Sequence, residues 1–244
     1  MSKPKILVYD IESSPILGYT WGYYDQNLLS IVEDWYMLSF AWKWHGEPKI
    51  SFERKAVGKG NDRELVKKLW VLMDEADVVL AHNGDQFDNK KTWARFLHYD
   101  LGPPSSYQSI DTLKAARRHF KLTSNKLDEI GRALGLGHKA THSGLATWFG
   151  CMNNDEKSWK VMEKYNRQDV ALLEEVYNRI RPYIRTTVNF QNWSGAGTCP
   201  KCGSANVRAH GFRYTAAAKK QEYKCYDCGS RTVALMADDG RLRQ

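Results

Sequence analysis

Three strand-like segments open this chain of 244 residues, and alternating helices and strands follow them. Residues 5–12 form an apolar run that ends in acids, and residues 30–45 and 49–53 are rich in the aromatic and β-branched residues typical of strands. Gly46-Glu47-Pro48 predicts a turn between the last two segments. This order of elements predicts an α/β fold with a central mixed sheet.

Helical spacing of apolar residues continues the pattern. We predict short strands over residues 77–81 and 107–110 and helices over residues 89–98, 112–120 and 156–181. Another helix should begin at a cap formed by Asn61 and Asp62, and a further one should run from Ser124-Asn125 to Leu134 and end at Gly135. The last helix ends before Pro182, which cannot continue it.

Composition limits the class of protein. Hydrophobic residues make up 42% and charged residues 26% of the chain, which is ordinary for a globular protein. No apolar run approaches the ~18 residues of a membrane span, and the apolar start is too short for a signal peptide. We therefore expect no membrane partner and a cytoplasmic location, in the cell or in a host cell. Predicted boundaries are a main domain over 1–190, a Gly/Ser-rich linker over 191–198, a second unit over 199–236 and a polar tail over 237–244.

Three segments place carboxylates where an α/β sheet collects ligands. In the first strand Ile6, Val8, Asp10 and Glu12 share one face, so two acids end a buried strand. Asp88 follows the next buried strand, although a plain helix N-cap would explain it equally well. Asp169 lies on the apolar stripe of the long helix, where a charge needs a partner or a metal ion.

Together the three segments resemble the DEDD superfamily of exonucleases. Its motifs D-x-E, N-x(2–3)-F/Y-D and Y-x3-D correspond in order to Asp10-Ile11-Glu12, to Asn83 with Phe87-Asp88, and to Tyr165 with Asp169. Because the third motif begins with tyrosine, the chain resembles the tyrosine subclass of this superfamily, called DEDDy. The resemblance covers residues 5–183 and implies an RNase H-like fold, similar to the proofreading domains of B-family DNA polymerases and to stand-alone bacteriophage exonucleases.

The resemblance also implies roles for these residues. Asp10, Glu12, Asp88 and Asp169 would hold two Mg²⁺ or Mn²⁺ ions, because hard divalent cations prefer carboxylate oxygens and two of them stabilise phosphodiester hydrolysis. Tyr165 would orient the attacking water. Asn83 and Phe87 are implied substrate contacts, with core packing as the alternative for Phe87.

Four of the five cysteines form two C-x2-C-G pairs. Cys199 and Cys202 are separated from Cys225 and Cys228 by 22 residues, a spacing that predicts one structural Zn²⁺ in a zinc ribbon. Cys151 stands alone and is expected to be an ordinary thiol. A unit this small cannot fold on apolar burial, so zinc would supply its folding energy.

Charge and aromatic residues suggest a role for the ribbon. The net charge is +8, and residues 191–244 hold nine Lys or Arg against four Asp or Glu. Cations in the ribbon, which include Arg208, Arg213, Lys219, Lys220 and Lys224, are candidates for phosphate contacts, and Phe212, Tyr214 and Tyr223 for base stacking. A structural clip or a protein-docking module is the alternative.

The sequence therefore predicts a metal-dependent 3′→5′ exonuclease that acts mainly on single-stranded DNA in replication, repair or recombination. Two alternatives stay open: an inactive nucleic-acid-binding adaptor that acts through the zinc ribbon, and an RNA-directed nuclease on the same fold. Trp21, Trp35, Trp42 and Trp44 flank the second predicted strand, and we expect core and sheet packing for them, with a nucleic-acid groove as the alternative.

Overall fold

A computed structural model describes residues 3–24, 27–58, 60–137, 144–185 and 188–233. The first half, in chain order, contains β1 (Ile6–Ser13), β2 (Leu17–Tyr19), β3 (Ser30–Glu33), β4 (Met37–Trp44), β5 (Ser51–Arg54), α1 (Arg63–Glu75), β6 (Val78–Ala81), α2 (Asp88–His98), β7 (Gln108–Asp111) and α3 (Thr112–His119). The second half contains α4 (Leu127–Ala133), α5 (Leu145–Met152), α6 (Glu156–Ile180), α7 (Gln191–Ser194), β8 (Val207–Tyr214), β9 (Lys219–Cys225) and β10 (Arg231–Thr232).

The main sheet has five strands in the order β5-β4-β1-β6-β7. β1 pairs antiparallel with β4 from Leu7 to Ser13 but parallel with β6 only from Ile6 to Val8. The mixed sheet is the one predicted from the sequence. Because β1 extends past the end of β6, Asp10 and Glu12 lie at the edge where parallel strands end, which is where α/β sheets bind ligands.

Alternation along β1 divides the core into two halves. Ile6 and Val8 pack against residues of α6, including Val170, Leu173 and Val176. Leu7, Tyr9 and Ile11 pack on the opposite side, against residues of α1 and α2 that include Leu69, Met73 and Phe96. Successive strand residues point to opposite faces. Asp10 and Glu12 therefore share the α6 side of the sheet with Ile6 and Val8, as the sequence pattern predicted.

Several predicted elements are corrected. Residues 30–45 form two strands rather than one, because β3 pairs with β2 whereas β4 joins the main sheet. At the junction the Tyr36 amide donates to Ser14 Oγ at 2.9 Å and the Met37 amide donates to Asp62 Oδ2 at 2.7 Å. Helix α5 was not predicted, since its apolar residues lack a clear period, and it packs against α6. Helix α4 begins after Lys126 with no side-chain cap, so the predicted Ser124-Asn125 cap is wrong.

The predicted cap residue Asp62 has a different role. Its side chain makes no cap hydrogen bond to α1. It is fully buried and accepts hydrogen bonds from Arg95 Nη2 and the Tyr99 hydroxyl as well as from the Met37 amide. This buried ion pair joins the start of β4 to α1 and α2.

One prediction of packing is wrong for the segment between β1 and β4. Trp21 is 87% exposed, and the hairpin of β2 and β3 exposes other large apolar side chains, including Tyr19, Tyr23, Tyr24 and Ile31. Trp42 and Trp44 pack against the core as expected, with their rings 5.9 Å apart edge to face. Among the described residues, β2 and β3 form a two-stranded sheet of their own and do not join the five-stranded sheet.

The C-terminal unit is a separate antiparallel sheet in the order β10-β9-β8. Ahead of it, the segment predicted as a linker contains α7, and Gln191 Nε2 donates to the Thr198 carbonyl at 2.7 Å. The predicted polar tail and residues 234–236 lie outside the described residues, and the domain boundaries stay predictions. Within the described ranges, no helix combines the length and the apolar character needed to cross a membrane.

Candidate active site

Asp10 and Glu12 are half-buried at the end of β1. Asn166 of α6 is fully buried, and its side-chain amide donates to the Asp10 carbonyl at 3.1 Å and to Asp10 Oδ2 at 2.8 Å. Ser39 on β4 contacts the Asn166 Oδ1 at 3.4 Å. The Asp10 carboxylate is therefore held by a side chain that follows Tyr165 directly in the sequence, and sequence reasoning missed it.

Asp88 lies beside the same strand. It is the first residue of α2 and only 2% exposed, and its Oδ1 accepts a hydrogen bond from the Ile11 amide at 3.1 Å. Since Ile11 separates Asp10 from Glu12, this bond places Asp88 beside the stretch of β1 that carries the two acids of the first motif. The alternative of an N-cap is wrong, because Phe87 occupies that position without a side-chain cap.

Burial changes the acidity of Asp88. Desolvation raises its pKa to about 7, with Asp111 adding to the shift and the Ile11 amide opposing it. A carboxyl with this pKa is half protonated near neutral pH in the metal-free protein. A divalent cation would favour the ionised form, because it supplies the compensating charge.

Helix α6 carries the third motif. Asp169 is 2% exposed, and Tyr165 is half-buried one turn before it. Residues three and four apart share a helix face. Asn166 points to Asp10, so Tyr165 and Asp169 lie on the side of α6 that meets β1. The sequence predicted this placement from the apolar stripe.

The loop between β6 and α2 has a constrained backbone. Asn83 adopts a left-handed conformation with φ of 66°, which Asn tolerates better than most residues. Its amide donates to Asp111 Oδ1 at 3.0 Å, and Asp111 also caps α3 through the Leu113 amide at 2.9 Å. Asp111 thus fixes the loop that precedes Asp88. Sequence reasoning missed it, although an acid directly before a helix is an N-cap signal.

Phe87, the other predicted substrate contact, is 40% exposed, so the alternative of core packing is wrong. Lys91 Nζ lies 5.1 Å from the centre of its ring and 4.0 Å from the centre of the Trp35 ring. The same ammonium donates to Ser13 Oγ at 2.9 Å. Burial lowers the pKa of Lys91. A cation framed by aromatic rings therefore lies one turn after Asp88.

Two concave regions adjoin these residues. One cleft of about 800 Å³ is lined by Asp10 and Tyr165 together with His82 and Arg117 and with residues 123–128. A second of about 610 Å³ is lined by Ser13, Trp35, Lys91 and Trp148, among others. The Trp148 and Tyr165 rings contact each other edge to face at 6.1 Å. The first cleft thus reaches Asp10 itself, and the second adjoins the end of β1 at Ser13 with a cationic and aromatic wall.

The predicted zinc ligands converge. Four sulfur atoms, from Cys199, Cys202, Cys225 and Cys228, all lie within 4.8 Å of one another, and two pairs are 3.7 Å apart. Tetrahedral Zn²⁺ with Zn–S bonds of ~2.3 Å requires sulfurs ~3.8 Å apart, so the site fits that ion.

The two zinc-binding turns have the same backbone geometry. The Gly203 amide donates to the Cys199 carbonyl at 2.8 Å, and the Gly229 amide donates to the Cys225 carbonyl at 3.0 Å. Both glycines have φ near +75°, which a side chain would strain. The four-cysteine cluster therefore has the form of a zinc ribbon, whereas Cys151 is a separate buried thiol.

Comparison with known proteins identifies the superfamily of the main domain. A model of the RNase_H superfamily, named RNase_H_2, matches residues 32–181, so the chain belongs to this superfamily. Its fold is similar to a family B DNA polymerase from the hyperthermophilic archaeon Pyrobaculum calidifontis, with a TM-score of 0.56 and 15% identity over 74% of this chain. The match spans 25% of the polymerase chain. No curated protein matches the sequence. The RNase H-like fold and its four-cysteine appendage are those predicted, and the superfamily supports a nuclease.

Proposed function

We propose that this protein is a metal-dependent 3′→5′ exonuclease that hydrolyses single-stranded DNA. The observation that carries the proposal is the junction of three motifs at the end of β1, where the Ile11 amide binds Asp88 and Asn166 of the third motif binds Asp10. Superfamily membership and the similarity to a DNA polymerase support nucleic-acid chemistry. Three segments that are distant in the sequence meet at one point through these bonds.

Asp10, Glu12, Asp88 and Asp169 would hold two Mg²⁺ or Mn²⁺ ions. Bound divalent ions supply charge stabilisation for the attacking and leaving oxygens and lower the pKa of bound water. The donor set fits, because all four side chains offer hard carboxylate oxygens and two of them are almost fully buried. Two buried carboxylates without a cation would be expensive to ionise, as the raised pKa of Asp88 indicates.

The remaining residues would position the substrate. Tyr165 lines the same cleft as Asp10, and its hydroxyl would orient a water molecule toward a phosphate there. Asn83 and Phe87 border Asp88, and the exposed ring of Phe87 offers a surface on which a terminal base stacks. Lys91, beside Phe87 and Trp35, would meet the phosphate of the terminal nucleotide.

The test uses 5′-labelled single-stranded DNA and RNA of one sequence. Wild-type protein and Asp10→Ala are compared in buffer with Mg²⁺, with Mn²⁺ or without a divalent ion other than the bound zinc. Glu47→Ala serves as the matched control, since Glu47 is an exposed acid in the turn after β4. We expect a ladder that shortens from the 3′ end with wild type and Glu47→Ala and no products with Asp10→Ala.

A closed circular single strand separates exonuclease from endonuclease action, because it has no end. An exonuclease leaves the circle intact. Full activity of Asp10→Ala would refute the assignment of the site, and binding without cleavage under every metal would support the adaptor instead. The faster of the two linear substrates decides between DNA and RNA.

A further inference from the structure

The two faces of the C-terminal sheet differ in chemistry. Arg208 on β8, Lys224 on β9 and Arg231 on β10 stand directly opposite one another in the strand register, and so do Arg213 and Lys220. Directly opposite residues share a face, as do residues two apart on one strand. All five cations therefore lie on one face, which we call the cationic face.

An irregularity in β8 creates this arrangement. Between Ala209 and Phe212, β8 advances three residues while β9 advances two, from Tyr223 to Gln221. The extra residue is accommodated at Gly211, whose φ of 73° is typical of a bulge that places glycine in the left-handed region. In a regular strand Arg208 and Arg213, five residues apart, would point to opposite faces. The bulge brings Arg213 to the side of Arg208.

The opposite face carries different residues. Tyr214 pairs with Lys219, Phe212 with Gln221 and Ala209 with Tyr223. Lys219 Nζ lies 4.1 Å from the centre of the Phe212 ring and 5.6 Å from that of Tyr214, so this lysine is associated with aromatic rings. Lys219 is among the candidate phosphate contacts predicted from the sequence. The strand register instead puts Lys219 on the face opposite to the five cations.

The cationic face has little internal neutralisation. Glu222 is its acid, and Arg231 Nη1 donates to Glu222 Oε2 at 3.0 Å. Asp227, beyond the end of β9, is held by Ser204 and Asn206. Counted over the described residues of β8, β9 and β10, five cations against Glu222 leave a charge of +4 on this face. Like charges directly opposite one another destabilise a sheet, so a row of three cations indicates an anionic ligand rather than a structural need.

An aromatic ring lies within the cationic row. Tyr226 is 50% exposed, and its ring centre lies 5.5 Å from the Arg208 guanidinium carbon and 5.2 Å from Lys224 Nζ. Cations next to a ring on which a base can stack are the combination found where proteins follow a single strand. Three strands span ~10 Å, so the three cations of the row lie close enough to contact neighbouring phosphates of one DNA strand.

We propose that the cationic face binds the backbone phosphates of single-stranded DNA, with Arg208, Lys224 and Arg231 as the central contacts and Tyr226 as a stacking surface. The proposal extends the proposed nuclease function and rests on it for the nature of the ligand. Charge complementarity favours this occupant, because a polyanion satisfies all three cations of the row at once. The zinc-binding turns would then hold a strand-binding surface in place.

The first test is the affinity of the full chain for a 5′-fluorescein-labelled 30-mer of thymidylate, measured by anisotropy without Mg²⁺ or Mn²⁺. The variant combines R208Q, K224Q and R231Q, and a control variant combines K49Q, K157Q and K160Q on the exposed surface of the main domain. At 0.1 M salt each lost single-strand contact lowers affinity about 5-fold, so we expect about 100-fold weaker binding and a salt slope lower by about 2. The control should stay within about threefold of wild type.

A matched pair within β9 tests the assignment of faces. Lys219 and Lys220 are sequence neighbours on opposite faces. Lys220→Gln should weaken binding about 5-fold, whereas Lys219→Gln should leave it unchanged. Zinc content is measured for every variant to show that the ribbon is intact. Equal effects of the two substitutions, or equal affinities of the two triple variants, would overturn the proposal and leave an acidic protein as the partner to test.

Hydrolysis of the dinucleotide dTpdT separates this proposal from the proposed function. A dinucleotide engages only the reaction site, so the ribbon variant should cleave it at the wild-type rate while its KM for the 30-mer rises. If the wild-type protein cleaves neither substrate but the ribbon variant still binds weakly, the nuclease function fails and the cationic face stands. If both substrates are cleaved and the ribbon variant matches its control, the cationic face fails alone.

Discussion

Asp88 should make the metal-free protein less stable as the pH rises. Its folded pKa is about 7, whereas an unfolded aspartate titrates near 4. Between these values the unfolded chain has lost the proton that the folded chain retains. The free energy of unfolding therefore falls with increasing pH in this window, and above pH 7 the loss levels off.

The size of the effect follows from the shift. Each pH unit contributes at most about 1.4 kcal/mol, and less near the folded pKa, so the Asp88 contribution between pH 5 and pH 8 is about 3 kcal/mol. In Asp88→Asn the side chain stays polar but cannot ionise, so this part of the pH dependence should disappear. The variant should be more stable than wild type at pH 8 without metal, and the difference should shrink by about 3 kcal/mol at pH 5.

Urea unfolding at pH 5, 6, 7 and 8 measures this directly. Buffers are cleared of divalent ions with a chelating resin rather than EDTA, which would extract zinc from the ribbon. Addition of Mg²⁺ or Mn²⁺ should stabilise wild type, by about 2.7 kcal/mol at a hundred times Kd, and stabilise Asp88→Asn much less. Parallel pH profiles of the two proteins would refute the reasoning, since the buried carboxyl would then not be the titrating group.

Three further predictions concern other parts of the molecule. Asn166→Ala should lower metal affinity or activity about 10- to 100-fold, because the contact with Asp10 is lost. The loss would be measured as a higher Mn²⁺ midpoint in the nuclease assay, and Asn178→Ala on the same helix should leave that midpoint unchanged. Cys202→Ser should abolish zinc binding in a metal-release assay and expose the amides of β8 and β9 to hydrogen exchange. The control protein Cys151→Ser should retain zinc in the ribbon, and zinc retained by Cys202→Ser would contradict the ligand assignment. Asp62→Ala should lower the free energy of unfolding by about 3–5 kcal/mol in urea, because it leaves Arg95 buried and unpaired; a loss below about 1 kcal/mol would show that the ion pair does not hold α1 and α2 together.

Local patterns in the sequence were sufficient for much of the fold and for the faces on which the candidate site residues lie. The period of two in β1 predicted that Asp10 and Glu12 share the face of Ile6 and Val8, and the helical stripe of α6 predicted the burial of Asp169. These inferences depend on residues close in the chain. The C-x2-C-G pairs were informative for the same reason, because each turn positions two sulfurs by itself.

Long-range partners were not predictable in the same way. Asn166 and Asp10 are 156 residues apart, and Asp111 holds the Asn83 amide across 28 residues. A period indicates which face a residue occupies but not which side chain it meets. The same limit explains Trp21, whose aromatic character suggested packing although β2 and β3 form a sheet of their own and leave Trp21 exposed. The bulge at Gly211 was also hidden, because only strand register shows that it moves Arg213 to the cationic face.

The order in which labels leave a DNA strand tests the central claim most directly. One single-stranded oligonucleotide carries a radioactive 3′-terminal nucleotide, and a second of the same sequence carries a 5′ label; each is cleaved with Mn²⁺ and sampled within the first turnovers. We predict that the 3′ label appears first and entirely as a mononucleotide, while the 5′ label stays in long fragments that shorten stepwise. Release of the 3′ label in oligonucleotides, or of the 5′ label first, would contradict a 3′→5′ exonuclease.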